Sequence, residues 1–170
     1  MSLVVTLLVL GIVLALEALL GRMVPGGRGY VDLMLLPVIW YALNRSQRSA
    51  LLVGCAGGLL QDAWFQTGVF GMGGFRKTLL GWALGGLAAR LDLNHPPGRF
   101  LVGATLSMTD QLLEVGLYRL LDLRTAPFGP WQLLLRAMAV GLLAAVVFPI
   151  VDRGTGRDSM GRPVGRGSRS

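Results

Sequence analysis

Residues 51–62, Leu-Leu-Val-Gly-Cys-Ala-Gly-Gly-Leu-Leu-Gln-Asp, form an apolar run that three glycines interrupt and an acid ends. Gly54 and Gly58 are four residues apart, so they share one face if the run is helical. In a membrane helix, small residues at this spacing let a second helix backbone approach closely. The stretch therefore predicts a close helix–helix contact, with Asp62 near the lipid–water boundary.

A second apolar run, residues 75–91, repeats this pattern of small residues. Gly81 and Gly85 are again four residues apart, which predicts that this run is the partner of the first. We therefore expect four helix-packing residues: Gly54, Gly58, Gly81 and Gly85.

The composition identifies lipid as the solvent around much of the chain. Of its 170 residues, 53% are hydrophobic and 15% are charged, whereas an ordinary soluble domain carries about 25% charged residues. The mean hydropathy is +0.60. A soluble protein of this length could not bury so much apolar surface, so the chain reads as one integral membrane domain.

Six apolar runs predict an all-α, six-helix transmembrane bundle over residues 1–152. The predicted spans are residues 3–20, 31–43, 50–65, 75–91, 100–121 and 131–151. The second span is shorter than the roughly 20 residues that cross a bilayer, and Pro37 is expected to kink it. Residues 153–170 form an Arg- and Gly-rich segment that cannot bury a core, so we expect a flexible cytoplasmic tail.

The net charge of +7 would suggest nucleic acid in a soluble protein. Here the cations lie in short turns and in the tail, a pattern that indicates membrane orientation, so no nucleic-acid partner is expected. Six spans place both termini on one side, and the five arginines of the tail predict that this side is the cytoplasm. The cations of the turns alone slightly favour the opposite orientation, since Arg76, Lys77 and four other arginines fall in the outer turns.

No catalytic, cofactor or metal site is predicted. Cys55 and His95 are the only residues of their types, so they cannot assemble a zinc cluster. Lys77-Thr78 follows a glycine-rich loop, but the spacing of a phosphate-binding loop is absent. The sequence thus favours a protein that is not an enzyme.

Ionisable residues inside the predicted spans form the candidate site. Asp110 and Glu114 are four residues apart on one face of the fifth span, and Arg136 lies in the sixth. Charges at membrane depth usually face the bundle interior, so we expect Glu114 to pair with Arg136 and the set to form a polar network. The expected members are Glu17, Asp62, Asp110, Glu114 and Arg136. We expect this network to have a structural role, in which its polar contacts hold the helices in place. A proton or substrate path and a contact with a partner remain alternatives.

Three segments in order carry a resemblance to a known family. They are Tyr-Val-Asp-Leu-Met-Leu-Leu-Pro at 30–37, Gly-Gly-Leu-Leu-Gln-Asp at 57–62 and Gly-Val-Phe-Gly-Met-Gly-Gly at 68–74. This order resembles the MreD family of rod-shape-determining membrane proteins, chiefly over residues 30–91. The matching residues are Asp32, Gly58, Leu59, Leu60, Asp62, Gly68 and Gly71.

The resemblance implies a scaffold of the bacterial cell-elongation machinery in the inner membrane. Such proteins bind MreC and, with it, connect the MreB filament to the polymerase RodA and its class B penicillin-binding partner in peptidoglycan synthesis. The MreD family is also similar to the six-helix substrate-binding subunits of energy-coupling-factor transporters. This likeness supplies an alternative, a vitamin-type uptake subunit whose pocket Trp64, Asp110, Gln111 and Glu114 would line. An enzyme that acts on lipid is a third, less favoured reading.

Overall fold

A computed structural model describes residues 3–23, 32–65, 69–88, 96–122 and 130–154. These residues form six helices and no strand, which confirms the predicted all-helical class. The helices are α1 (Leu3–Met23), α2 (Leu35–Asn44), α3 (Gln47–Phe65), α4 (Met72–Ala88), α5 (Pro96–Leu120) and α6 (Pro130–Gly154). Within the described ranges, two segments are long and apolar enough to cross a membrane, Val4–Met23 of α1 and Trp131–Val151 of α6.

Helix α2 forms the centre of the bundle. It begins at Leu35, four residues later than the predicted span, and its 10 residues extend about 15 Å. Pro37 is its third residue and lies in the first turn, where backbone N–H groups have no helical partner, so it removes no internal hydrogen bond of the kind on which the predicted kink rests. The other helices cover α2, whose buried residues are Leu35, Pro37, Val38, Ile39, Trp40, Tyr41 and Ala42.

Helices α3 and α4 cross with their backbones in contact. A Cβ atom placed on Gly58 would lie 2.5 Å from the carbonyl oxygen of Gly73, and one on Gly81 would lie 2.5 Å from that of Ala50. No side chain fits at such a distance, so glycine is required at both positions. The glycines at this crossing are Gly54, Gly58, Gly81 and Gly85.

Helices α5 and α6 form a second pair that packs on α2. Gly103 and Gly141 face each other, and a Cβ on either would lie 3.0 Å from the opposite helix. Ala144 and Phe148 of α6 are buried in the same core as α2. Pro149 lies inside α6, which continues to Gly154, rather than at the end of the helix.

Helix α1 lies at the edge of the bundle and contacts it along one stripe. The Thr6 and Tyr41 hydroxyls are 2.5 Å apart and form a hydrogen bond. Leu10 and Leu14 are the buried apolar residues of α1, and Leu10 packs over Gly57 of α3. Most of the remaining apolar side chains of α1 are exposed.

Candidate functional site

Arg76 of α4 holds two carboxylates of α5. Its Nη1 atom donates to Asp110 Oδ2 at 3.1 Å and to Glu114 Oε2 at 2.8 Å. The same atom lies 3.2 Å from the backbone carbonyl oxygen of Asp110. Arg76 is 8% exposed and Asp110 is 3% exposed, so this ion pair connects α4 to α5 within the bundle.

Lys77, the next residue, is fully buried and points to a different partner. Its Nζ atom donates to Asp32 Oδ2 at 2.7 Å. The other oxygen of Asp32 accepts from the backbone N–H of Met34 at 3.1 Å, just before α2 begins. A buried ammonium needs a paired anion because burial removes its hydration. Asp32 supplies that anion and fixes the start of α2 against α4.

Gln61 of α3 extends the polar contacts to α1. Its Nε2 atom donates to Glu17 Oε1 at 2.5 Å and to Asp32 Oδ1 at 3.3 Å. One amide therefore links α1, α3 and the residues that precede α2. Glu17 is the residue of α1 that joins it to the polar network.

Asp62 has a local structural role at the start of α4. Its Oδ2 atom accepts from the backbone N–H groups of Gly71, Gly73 and Gly74 at 3.0, 2.8 and 3.3 Å. These are unpaired N–H groups at a helix N-terminus, and a carboxylate there also interacts favourably with the helix dipole. Gly71 has a φ of +94°, which favours glycine. The hydrogen bonds of Asp62 thus cap α4, whereas Glu17, Asp110 and Glu114 take part in the polar contacts between helices.

Glu114 has a partner that the sequence does not predict. The sequence pairs Glu114 with Arg136, but the structure places Arg76 2.8 Å from Glu114. Arg136 lies on α6 within electrostatic reach of Glu114 and Asp110. The sequence missed the contact with Arg76 because Arg76 and Lys77 were assigned to an outer turn, whereas α4 begins at Met72 and carries both side chains into the bundle.

A signal for Lys77 was nevertheless present in the sequence. Gly73, Lys77, Gly81 and Gly85 are spaced by four residues, so Lys77 shares the helix face of three glycines. That face is the one that packs on α3, since a Cβ on Gly54 would meet the Lys77 carbonyl oxygen. A cation on a packing face must be buried and paired. Gly68, a predicted motif residue, lies outside the described residues.

The network contains four carboxylates, from Glu17, Asp32, Asp110 and Glu114, against Arg76 and Lys77. Glu17 Oε2 and Asp110 Oδ1 are buried and accept no hydrogen bond from the described residues. The arrangement can hold helices together and offers acceptor oxygens, but it places no nucleophile beside a general base. Over the described ranges, no group of three His, Cys, Asp or Glu residues is arranged to hold a metal ion.

Comparisons with protein-family models, curated proteins and solved structures find no match. The information on function therefore lies in the residues of this chain and in their contacts. The contacts that bear on it most directly are those that Asp32, Asp62 and the glycines make around the first turns of α4.

Proposed function

We propose that this chain is a multi-pass protein of the bacterial inner membrane and a non-enzymatic scaffold of the cell-elongation machinery, similar to MreD. In this role it binds MreC and, through it or directly, RodA and the class B penicillin-binding protein. MreB is reached indirectly. The observation that carries the proposal is the meeting of the motif residues at one place in the fold.

The motif residues that the structure describes come from separate segments and meet around the start of α4. Asp32 holds Lys77, and Asp62 caps the helix over Gly71. Gly58 lets Gly73 approach the backbone of α3. Residues far apart in sequence thus build one structural unit. Such a unit fits a protein that presents surfaces to partners.

The distribution of side chains supports insertion of the whole bundle. Lys77, Asp110 and Gln111 are buried, whereas large apolar side chains such as Leu52 and Leu142 are exposed. In water this arrangement is costly on both counts. In lipid, polar groups face the bundle interior and apolar groups face the solvent. We therefore extend the membrane assignment from α1 and α6 to all six helices.

The alternative of an uptake subunit needs free polar groups around a pocket. Arg76 binds Asp110 and Glu114, and the amide nitrogen of Gln111 donates to Ser107. Only Asp110 Oδ1 and Gln111 Oε1 of this set are buried without a hydrogen-bond donor among the described residues. Trp64 is largely exposed rather than directed inward. These contacts favour the scaffold.

Co-purification tests the scaffold directly. MreC from the same bacterium is co-expressed with the tagged chain, and a chimera with the periplasmic domain of MreC on an unrelated span is the control. We expect MreC to be recovered with the chain, and the chimera then shows whether the span of MreC takes part. Failure to recover MreC with a folded chain would contradict the proposal.

A thermal-shift screen against vitamins tests the alternative on the same preparation. A ligand at 100 times its dissociation constant stabilises a protein by about 2.7 kcal/mol. We expect no such shift. A specific shift, together with absence of MreC binding, would favour the uptake subunit.

A further inference from the structure

Over the residues that the structure describes, the apolar surface of α3 and α4 is short along the helix axis. On α3 the large exposed apolar side chains run from Leu52 to Trp64, which is about 18 Å at 1.5 Å per residue. On α4 they run from Phe75 to Leu87, again about 18 Å. The two helices therefore share one narrow apolar band, which we call the short edge.

The corresponding bands on α1 and α6 are longer. On α6 the exposed apolar side chains run from Trp131 to Val151, which is about 30 Å at 1.5 Å per residue. On α1 they run from Val4 to Met23, about 28 Å. The hydrocarbon core of a typical bilayer is about 30 Å thick, so α6 matches it and the short edge does not.

Polar and aromatic side chains fix the limits of the short edge. At one end of α3, exposed Arg48 lies one turn before Leu52, and exposed Arg45 lies just before the helix begins. At the other end are Trp64 and Phe70, which are 64% and 69% exposed. Arginine and tryptophan at the ends of a span are typical of the head-group level. The narrow band thus ends on residues that belong at the membrane surface.

We infer that the short edge binds a thinner shell of lipid than α6 does, so that the protein thins the bilayer on one side. The inference rests on the proposed membrane insertion of the whole bundle. A bilayer adapts to a short apolar surface by thinning, at a cost of fractions of a kcal/mol per Å. The recognised partner is phospholipid with short or disordered acyl chains.

Tilt of the long helices is the competing explanation. If α1 and α6 tilt, a uniformly thin bilayer could match every helix. The two explanations differ in one observable, because only one-sided thinning makes lipid preference vary around the bundle. That preference can be measured with tryptophans, since Trp64 and Trp82 lie on the short edge and Trp131 lies on α6.

The experiment uses variants that keep one exposed tryptophan each and replace the other two by phenylalanine. Trp40 is buried at 7% exposure and stays in every variant, and the variant with all three exposed tryptophans replaced measures its signal. Each protein is reconstituted with brominated phosphatidylcholine in competition with dimyristoleoyl, dioleoyl or dierucoyl phosphatidylcholine. Quenching then reports the lipid that is bound beside each indole.

We expect the preference for the dimyristoleoyl over the dierucoyl lipid to be about fivefold stronger at Trp64 and Trp82 than at Trp131. The same preference at all three sites would overturn the inference in favour of tilt. Absence of quenching at every site in a folded protein would instead contradict membrane insertion itself, and with it the proposed function.

Hydrogen–deuterium exchange of the unsubstituted chain gives a second measurement that does not depend on the variants. As acyl chains lengthen, the ends of α3 and α4 sink further below the head groups than the ends of α6. Exchange at the short edge should therefore slow more than exchange at α6. Equal slowing at both would count against one-sided thinning.

Discussion

Helices α3 and α4 differ from α5 and α6 in how glycine is used. A Cβ on Gly58 would come within 2.5 Å of backbone atoms of α4, whereas one on Gly141 would lie 3.0 Å from Phe100 of α5. The first pair is a contact of backbone with backbone. In the second, atoms of Phe100 and Ala144 side chains share the contact. The same residue type thus gives a fixed crossing in one place and an adjustable one in another.

The difference shows where the bundle gets its geometry. Close backbone contact sets the α3–α4 crossing, and the Asp62 cap fixes the start of α4. The α5–α6 pair joins this unit through the core and through the ion pairs of Arg76. Breaking each connection in turn tests which one defines the fold.

Replacing Arg76 by methionine should have the largest effect. The change removes the cation that Asp110 and Glu114 share, and stranding a buried partner typically costs about 3–5 kcal/mol. Unfolding in detergent measures the loss. Arg119 of α5 is exposed, so Arg119→Met is the matched control and should stay within about 0.5 kcal/mol.

A double-mutant cycle identifies the partner of Glu114. Coupling between contacting charges is typically about 0.5–3 kcal/mol, and we expect it to be larger for Glu114 with Arg76 than with Arg136. Stronger coupling to Arg136 would restore the pair that the sequence predicts and would weaken the assignment of Arg76 as the link between the two helix pairs.

Replacing Gly58 by leucine should have the next largest effect. The side chain would have to displace the backbone of α4 at Gly73 and Gly74, and overpacking costs about 1–3 kcal/mol or more. Gly141→Leu should cost less because part of its contact is a side chain that can move. Gly116→Leu is the control, since nothing lies within 4 Å of that position.

Thermal unfolding of the three leucine variants ranks the two crossings. The expected order of loss is Gly58, then Gly141, then Gly116. If Gly141→Leu is the most damaging, the α5–α6 pair is the rigid element, and the reading of glycine distances given above is wrong.

Replacing Asp62 by asparagine should have a smaller effect. The amide oxygen can still accept hydrogen bonds, but the charge that favours a helix N-terminus is lost, which is worth about 0.3–1 kcal/mol, up to ~2 in a buried site. Asp122→Asn is the control because Asp122 is exposed and its φ of 51° suits asparagine. Equal melting of both variants would mean that the cap of α4 does not matter.

The sequence predicted the local features of this fold and missed some of its long-range ones. Helix number and the packing glycines follow from periodicity, which is local. The second helix was placed four residues early because apolar residues continue on both sides of its true start at Leu35. Its short length is tolerated since the other helices cover it, and this depends on the whole bundle.

The ion pairs were the harder part to predict. Lys77 and Asp32 are 45 residues apart, and nothing local says which carboxylate meets which cation. Treating every cation near the end of a span as a surface residue caused the error over Arg76. The burial of Lys77 could have been predicted from its position on the helix face that carries the glycines, whereas the burial of Arg76 could not.

Deleting residues 155–170, the basic segment that follows α6, should have the smallest effect on stability. The segment holds Arg157, Arg162, Arg166 and Arg169 among glycines and polar residues, a composition that cannot bury a core. Unfolding of the truncated protein should match that of the full chain within about 0.5 kcal/mol.

The positive charge of the same segment is expected to affect the orientation of the protein in the membrane. Basic residues near the last span favour the cytoplasmic side, and the turns alone do not settle the choice. Accessibility of a C-terminal tag to protease in spheroplasts measures orientation. We expect full-length chains to keep the tag inside and some truncated chains to expose it. Aggregation of the truncated protein would instead indicate that the segment has a structural role.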